Sequence, residues 1–478
     1  MPRLGSFYLI AVFWGSSGLF SQSNEEFLNK LFSRVVSIRV ERVESITAKT
    51  PNGNSIPSTS FGSGLLIAGN RILTNAHVIN NAKLIRFKKY NEEKYYLATT
   101  KFVGFDCDLA VLEPESGFSS EDDPIEIATE NPKLGTDLLI LGYPEGRETL
   151  SVEKANVISI ERNRYTFTGL DFRNVIRVNS YVKPGNSGGP AIQGEKVVGL
   201  TFQFNSLNDR VGYLIPSEII LHFLKDIADN RYDGFPSPPF SFQNGNSSSA
   251  KAYFKIPEGI TGIFINAVYP GSTFSEVLQE KDFVFQIDDF KISNEGQPIP
   301  FQGESILDYI EKKQVGESIR IYFIRGDKAY EASAVLVSNS KFANFRNPSE
   351  EVFSDSGLVF QKLDKSFFLE DVNQDSLLKY RYSYHLQDKL YNQTSEEIVL
   401  TNVKEESKNP RAVKYKNKLI YSINDVPVKN FSDLKTLWKR FETKTLVLRF
   451  KSINLPLILS PSLRLEINNK LRYLEGQK

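Results

Sequence analysis

"VKPGNSGGP", residues 182–190, packs three glycines, two prolines, an asparagine and a serine into one short run. Such a run can be a plain turn, since Gly and Pro punctuate loops and Ser and Asn suit them. It can also be a loop that exposes one serine, Ser187, and turns two backbone amides toward one spot. A serine hydroxyl is a weak nucleophile at neutral pH. It needs a base to take its proton, and the base needs an orienting carboxylate. The two readings therefore differ in what else the chain must contain.

Only three histidines are available, His77, His222 and His385. His77 ends an apolar, strand-like run, "LTNAHVI" (73–79), and Asp108 opens another within "DCDLAVLE" (106–113). His77, Asp108 and Ser187 follow one another at gaps of about 30 and about 80 residues, an order that trypsin-like double barrels use. Gly185 would let its own N–H and that of Ser187 converge on a developing oxyanion. Gly188 and Gly189 would allow neighbouring backbone to come close. Asp106 is a rival orienter, because residues two apart on a strand share a face. Cys107 would alternate to the other face with Leu109 and Val111, as a buried thiol.

Around these motifs, short β-like runs are broken by Gly, Asn and Pro. They include "VVSIRV" (35–40), "SGLLIAG" (63–69), "LAVLE" (109–113), "DLLILGY" (137–143) and "KVVGLTF" (196–202). That spacing predicts a β-barrel or sandwich. Residues 216–230 have apolar residues at helical spacing and carry His222. Residues 232–251, rich in Pro, Ser, Gly and Asn, read as a linker. Beyond it, "DFVFQIDDFKI" (282–292) and "KLIYSINDVPV" (418–428) share the order strand, Asp-containing turn, strand, which suggests a diverged internal repeat.

Composition narrows the classes. The 58 basic and 57 acidic residues nearly cancel, so nothing points to nucleic acid as a partner. A single cysteine excludes a disulfide within the chain and a cysteine-based metal site, and no metal is expected. Arg3, the apolar stretch Phe7–Trp14 and the small residues up to Ser21 predict a signal peptide over 1–21. That implies a periplasmic or secreted protein, or a membrane-anchored one if the segment stays uncleaved.

Taken together, "GSGLLI", "RILTNAHVI", "DCDLAVLE", "LGTDLLILGYP" and "VKPGNSGGPAI" resemble the HtrA/Deg family of serine proteases. The resemblance implies a mainly β fold: a chymotrypsin-like double β-barrel over 27–231, the linker 232–251, a PDZ domain over 252–338 and a divergent PDZ-like domain over 355–470. The layout is most similar to the plant-type Deg branch and its bacterial relatives. It implies a triad of His77, Asp108 and Ser187, with the "DLAVL" context favouring Asp108 over Asp106. The oxyanion hole would fall on Gly185, Asn186 and Ser187, and substrate would lie along Thr201, Phe202 and Gln203. Peptide would add beside Gly262, Ile263 and Phe264 of the first PDZ domain, against a helix near Ile306–Ile310. "SGLVFQ" (356–361) would be a degenerate carboxylate loop in the second. Family members act without a cofactor on unfolded proteins and peptides, as trimers or multiples of trimers. The loops 144–165 and 202–212 would respond to a neighbour or a bound peptide. The chain departs from the family pattern at Ser180, Tyr181 and Lys183, just before the glycine run. The rival reading is a PDZ scaffold or chaperone with a dead protease domain. Such chains lose the serine, the histidine or a loop glycine, and all are present here.

Overall fold

The computed structural model describes residues 27–43, 57–120, 123–165, 171–180, 182–204, 211–236, 238–269, 272–300, 303–338, 352–363, 378, 380–381, 394, 396–404 and 410–475. The expected signal peptide lies outside the described residues, as does most of 364–393. Among the described residues no helix is long and apolar enough to cross a membrane. The chain divides into two compact units.

The first unit holds two closed six-stranded barrels. One is built from β1 (Val35–Val43), β2 (Pro57–Ile67), β3 (Arg71–Thr74), β4 (Ala82–Lys89), β5 (Tyr96–Gly104) and β6 (Leu109–Pro114), in the order β1-β2-β3-β6-β5-β4. Val36, Ile38 and Val40 alternate along β1 and meet Leu66, Ile72, Ile85, Phe87 and Leu112 in its core. This period of two closes the sheet around one apolar face. The other barrel uses β7 (Asp137–Gly142), β8 (Ser151–Arg164), β9 (Phe172–Val178), β10 (Pro190–Gln193), β11 (Lys196–Phe204) and β12 (Gly212–Pro216), in the order β10-β11-β12-β9-β8-β7. Its core gathers Leu138, Ile140, Val157, Ile176, Val178 and Leu214. The fold is the expected chymotrypsin-like double barrel. Of the expected loop 144–165, however, residues 151–164 are strand β8. Ala155 and Val157 anchor that strand in the barrel core despite its many charged residues.

The second unit contains two sheet bodies. In the first, the order is β13 (Phe240–Asn244), β14 (Ile263–Val268), β15 (Phe283–Ile287), β17 (Ser318–Arg325), β18 (Lys328–Val335), with β16 (Phe290–Lys291) beside β15. Strand β13 and the first four residues of the helix Ser248–Tyr253 fall inside the expected linker, which must be shortened accordingly. Phe240 and Phe242 alternate with Ser241 and Gln243. Phe240 is only 1% exposed and packs in the core with Phe274. The Pro- and Ser-rich flanks hide a genuine strand signal. The second body has the order β19 (Phe353–Asp355), β20 (Leu358–Lys362), β21 (Ile398–Val403), β22 (Leu419–Ile423), β24 (Leu446–Phe450), β25 (Ile453–Leu459), with β23 (Val426–Pro427) beside β22. The repeat is visible as matching hairpins, β15–β16 and β22–β23, each turning through residues of positive φ: Asp288 in one, Asn424 and Asp425 in the other.

Candidate active site

His77 lies not on a strand but in a single helical turn, α1 (Ala76–Ile79), directly after β3. Asp108 closes the turn 105–108 between β5 and β6. Its φ of 54° is a left-handed conformation that Asp and Asn tolerate better than most residues. That conformation lets Asp108 grip the His77 turn from two sides. Its carbonyl accepts from the Ala76 N–H at 3.2 Å and from the Asn75 amide at 2.9 Å. One carboxylate oxygen accepts the His77 N–H at 2.8 Å, and the other lies 2.6 Å from His77 Nδ1. Asp108 is 1% exposed, so these bonds replace its lost hydration. With Nδ1 donating to Asp108, Nε2 is left as the acceptor, the tautomer a general base requires. Arg42, on β1, donates through Nη2 to the His77 and Val78 carbonyls, both at 2.9 Å, and holds the turn from its other end.

Asp106 does not share this face. It belongs to a turn rather than a strand, and its carboxylate meets Arg173 instead. Cys107 is buried, as expected.

Ser187 sits in a turn ahead of β10. Gly185 has φ 97°, and a Cβ there would lie 2.5 Å from the Tyr143 carbonyl oxygen. Gly188 has φ 83°, and its Cβ would fall 2.1 Å from the Ser63 carbonyl oxygen. No side chain fits either position. The amides of this run divide cleanly. Asn186 N–H donates to Lys183, Gly188 N–H to Thr201 and Gly189 N–H to Asn186. Those of Gly185 and Ser187 have no acceptor among the described residues. Two free donors two residues apart, in an otherwise satisfied turn, fit a developing oxyanion. Asn186 drops out of the expected hole: its amide is taken, and its side chain is 1% exposed.

Ser63 links the two barrels at this point, and sequence reading missed it. Its hydroxyl donates to the Gly185 carbonyl at 2.7 Å and accepts the Tyr143 N–H at 2.9 Å. Its N–H donates to the Ser187 carbonyl at 2.8 Å, and its carbonyl accepts the Thr74 hydroxyl at 2.7 Å. Thr74 ends the strand that leads into His77. The Ser187 turn is thus tied, bond by bond, to the His77 turn. The available signal was a serine flanked by Gly62 and Gly64, directly before the apolar run Leu65–Ile67. Beneath it, burial pushes the Tyr143 phenol well above its usual range, with Tyr90 adding to the effect. Tyr143 therefore stays neutral beside the site.

The expected substrate strand is corrected in part. Thr201 is fully buried, and its hydroxyl donates to Asn186 and Gly189 carbonyls. It braces the serine turn and presents nothing to a substrate. The Phe202 carbonyl accepts the Ser187 hydroxyl at 3.5 Å, and the Phe202 ring is buried. Gln203 pairs with Tyr213 along β11, its side chain lying outside the described residues.

The expected peptide strand is also corrected. Gly262, Ile263 and Phe264 cannot receive an added strand. β14 is paired with β13 on one side and β15 on the other, and Ile263 and Phe264 are buried. A Cβ on Gly262 would lie 2.2 Å from the Val284 carbonyl oxygen. The edge strands of this sheet are β13 and β18, and β13 is the edge next to β14. The helix Ile306–Glu311 is held by a Ser305–Asp308 capping box and by its Tyr309, which donates to Asp288. Burial alone would raise the Asp288 carboxyl. The Arg320 N–H, Lys313 and Tyr309 hold it below its usual range.

Known proteins can now be set beside this geometry. Residues 62–200 match the trypsin-like peptidase domain family, and residues 349–463 match a PDZ domain family. The chain is 32% identical over 406 residues to the putative protease Do-like 13 of Arabidopsis thaliana, covering 83% of this chain and 78% of that one. It is 30% identical over 389 residues to the mitochondrial protease Do-like 4 of the same plant, covering 79% and 71%. The chain belongs to the HtrA/Deg family of serine proteases. Among solved structures, the HtrA-type protease AlgW with decapeptide shares the fold, with a TM-score of 0.51 at 17% identity over 66% of this chain and 98% of that one. Within this Deg protease the PDZ match coincides with the second sheet body, the one whose sequence diverged most from expectation.

Proposed function

We propose that this protease cleaves peptide bonds of unfolded proteins with Ser187 as nucleophile, His77 as general base and Asp108 as its orienter. Ser187 Oγ attacks the scissile carbonyl while His77 Nε2 takes its proton. The carbonyl oxygen becomes an oxyanion held by the Gly185 and Ser187 amides. His77 then passes the proton to the departing amine, and water repeats the sequence to release the acyl group. The observation that carries this reading is the serine turn itself, where the amides of Gly185 and Ser187 alone, among 185–189, lack an acceptor among the described residues. Quality control outside the cytoplasm, and assembly as a trimer or a multiple of one, belong to the same proposal. Light scattering on the full chain tests the assembly.

Regulation is assigned to the first PDZ body, with an extended peptide adding at the β13 edge beside the helix Ile306–Glu311. The second body suits that task less. In the turn between β19 and β20, Ser356 N–H already donates to the Asn468 side chain at 2.8 Å. Trp438 fills the space between β20 and the helix Phe431–Arg440, edge-on to Phe353 and Phe360. The deciding assay is degradation of unfolded casein by wild type and by Ser187→Ala. Loss in the variant, with its melting temperature unchanged, supports the enzyme. No turnover by either supports the scaffold reading, and equal turnover by both removes Ser187 as the nucleophile.

A further inference from the structure

We propose that Arg173 is a positioning residue for catalysis, acting from the second barrel on the orienting carboxylate of the first. Arg173 lies on β9. Its Nε donates to the Asp106 carbonyl at 3.0 Å, and its Nη2 donates to the Asp106 carboxylate at 2.8 Å. Both side chains are largely buried, 7% and 14% exposed. Asp106 occupies the same turn as Asp108, two residues earlier, and that turn closes on itself through Asp108 N–H and the Phe105 carbonyl. One guanidinium thus fixes both the backbone and the side chain of a turn that holds Asp108 at φ 54°.

The turn's geometry decides where the Asp108 carboxylate points. Its two oxygens serve two different His77 donors, so a small rotation cannot keep both bonds. Misplacement of a reacting group by about 1 Å can cost about a hundredfold in rate. A fork with two donors at fixed angles suits this task, whereas a lysine offers one point charge. The ion pair therefore does more than join the barrels: it transmits the position of the second barrel to the tautomer and orientation of His77. This inference rests on the triad reading above.

The test compares wild type with Arg173→Met, Arg173→Lys, Ser187→Ala and the double variant Arg173→Met/Asp106→Leu, using kcat and KM on fluorogenic casein and melting temperature. A proton NMR spectrum reads the far-downfield resonance of the hydrogen shared by His77 and Asp108. We expect Arg173→Met to lower kcat about a hundredfold with KM within about twofold, and to weaken or lose that resonance. Arg173→Lys should lose about tenfold, because its ammonium cannot serve carbonyl and carboxylate with the same fork. Replacing a buried ion pair by apolar residues can restore stability. The double variant should therefore regain melting temperature but not kcat. Wild-type kcat in Arg173→Lys, or recovery of kcat together with stability in the double variant, would show that the pair is only structural. If Ser187→Ala itself stays active, the triad reading fails; if it is inactive while Arg173→Lys matches wild type, only the positioning claim fails.

Discussion

The two barrels contribute to the site in different currencies. The first supplies His77 and Asp108, and it positions them with side-chain hydrogen bonds from Asp108, Asn75 and Arg42. The second supplies Ser187 and two amides, positioned by backbone conformation at glycines that admit no side chain. The difference teaches where each half is vulnerable. In the first barrel, changing a functional group at constant shape should be ruinous. In the second, adding a single methyl to the backbone should be nearly as damaging as removing a catalytic atom.

The largest effect should come from Ser187→Ala, where the two halves lose their common product. Turnover of casein should fall by about a millionfold, since members of such a unit fail together. Asp108→Asn tests the first barrel at nearly constant shape. An amide in that place would turn a donor toward one of the two His77 donors and favour the wrong tautomer. We expect kcat to drop by about a thousand- to ten-thousandfold with the fold intact by circular dichroism. A loss under tenfold would break the comparison, because side-chain chemistry would then not be what the first barrel provides.

Gly185→Ala tests the second barrel. The new methyl would demand φ 97° of a residue that avoids it and would press on the Tyr143 carbonyl at 2.5 Å. Relief turns the peptide and removes one oxyanion donor, for an expected loss of about a hundred- to a thousandfold in kcat with KM little changed. Labelling of Ser187 by a fluorophosphonate should slow in parallel, since that reagent also develops charge on oxygen. Normal labelling would show that the amide plays no part.

Ser63→Ala should have the smallest effect and sharpen the comparison most. Only a hydroxyl is lost, but it bridges the Gly185 carbonyl and the Tyr143 N–H across the barrels. Leaving both without that partner should cost about 1–3 kcal/mol in chemical denaturation. A tenfold drop in kcat would accompany it if the bridge sets the oxyanion amides. Lost stability with full kcat would place Ser63 in the scaffold alone.

Much of this was written in short-range pattern. The apolar runs in β1, β2, β6, β7 and β11 are strands because short Val-, Ile- and Leu-rich runs bounded by turn residues suit a buried sheet, and that needs only neighbouring residues. The glycines at 185 and 188 announce a backbone no other residue adopts. Local pattern failed where composition concealed period. Phe240 and Phe242 sat among prolines and serines, and β8 sat among charges, although both alternate. By itself the sequence determined the residue types of the site, their order along the chain and the strands that carry them, because each depends on local geometry. Only the tertiary structure decided which aspartate meets His77. Asp106 and Asp108 differ by the bend of one turn and by an arginine 67 residues away from the first of them. It alone showed that β14 has neighbours on both edges, with β13 at the edge beyond it, and that Ser63 bonds to Gly185, 122 positions away. Pairings of that kind depend on how distant strands register when the sheets close, and no window of neighbouring residues contains that information.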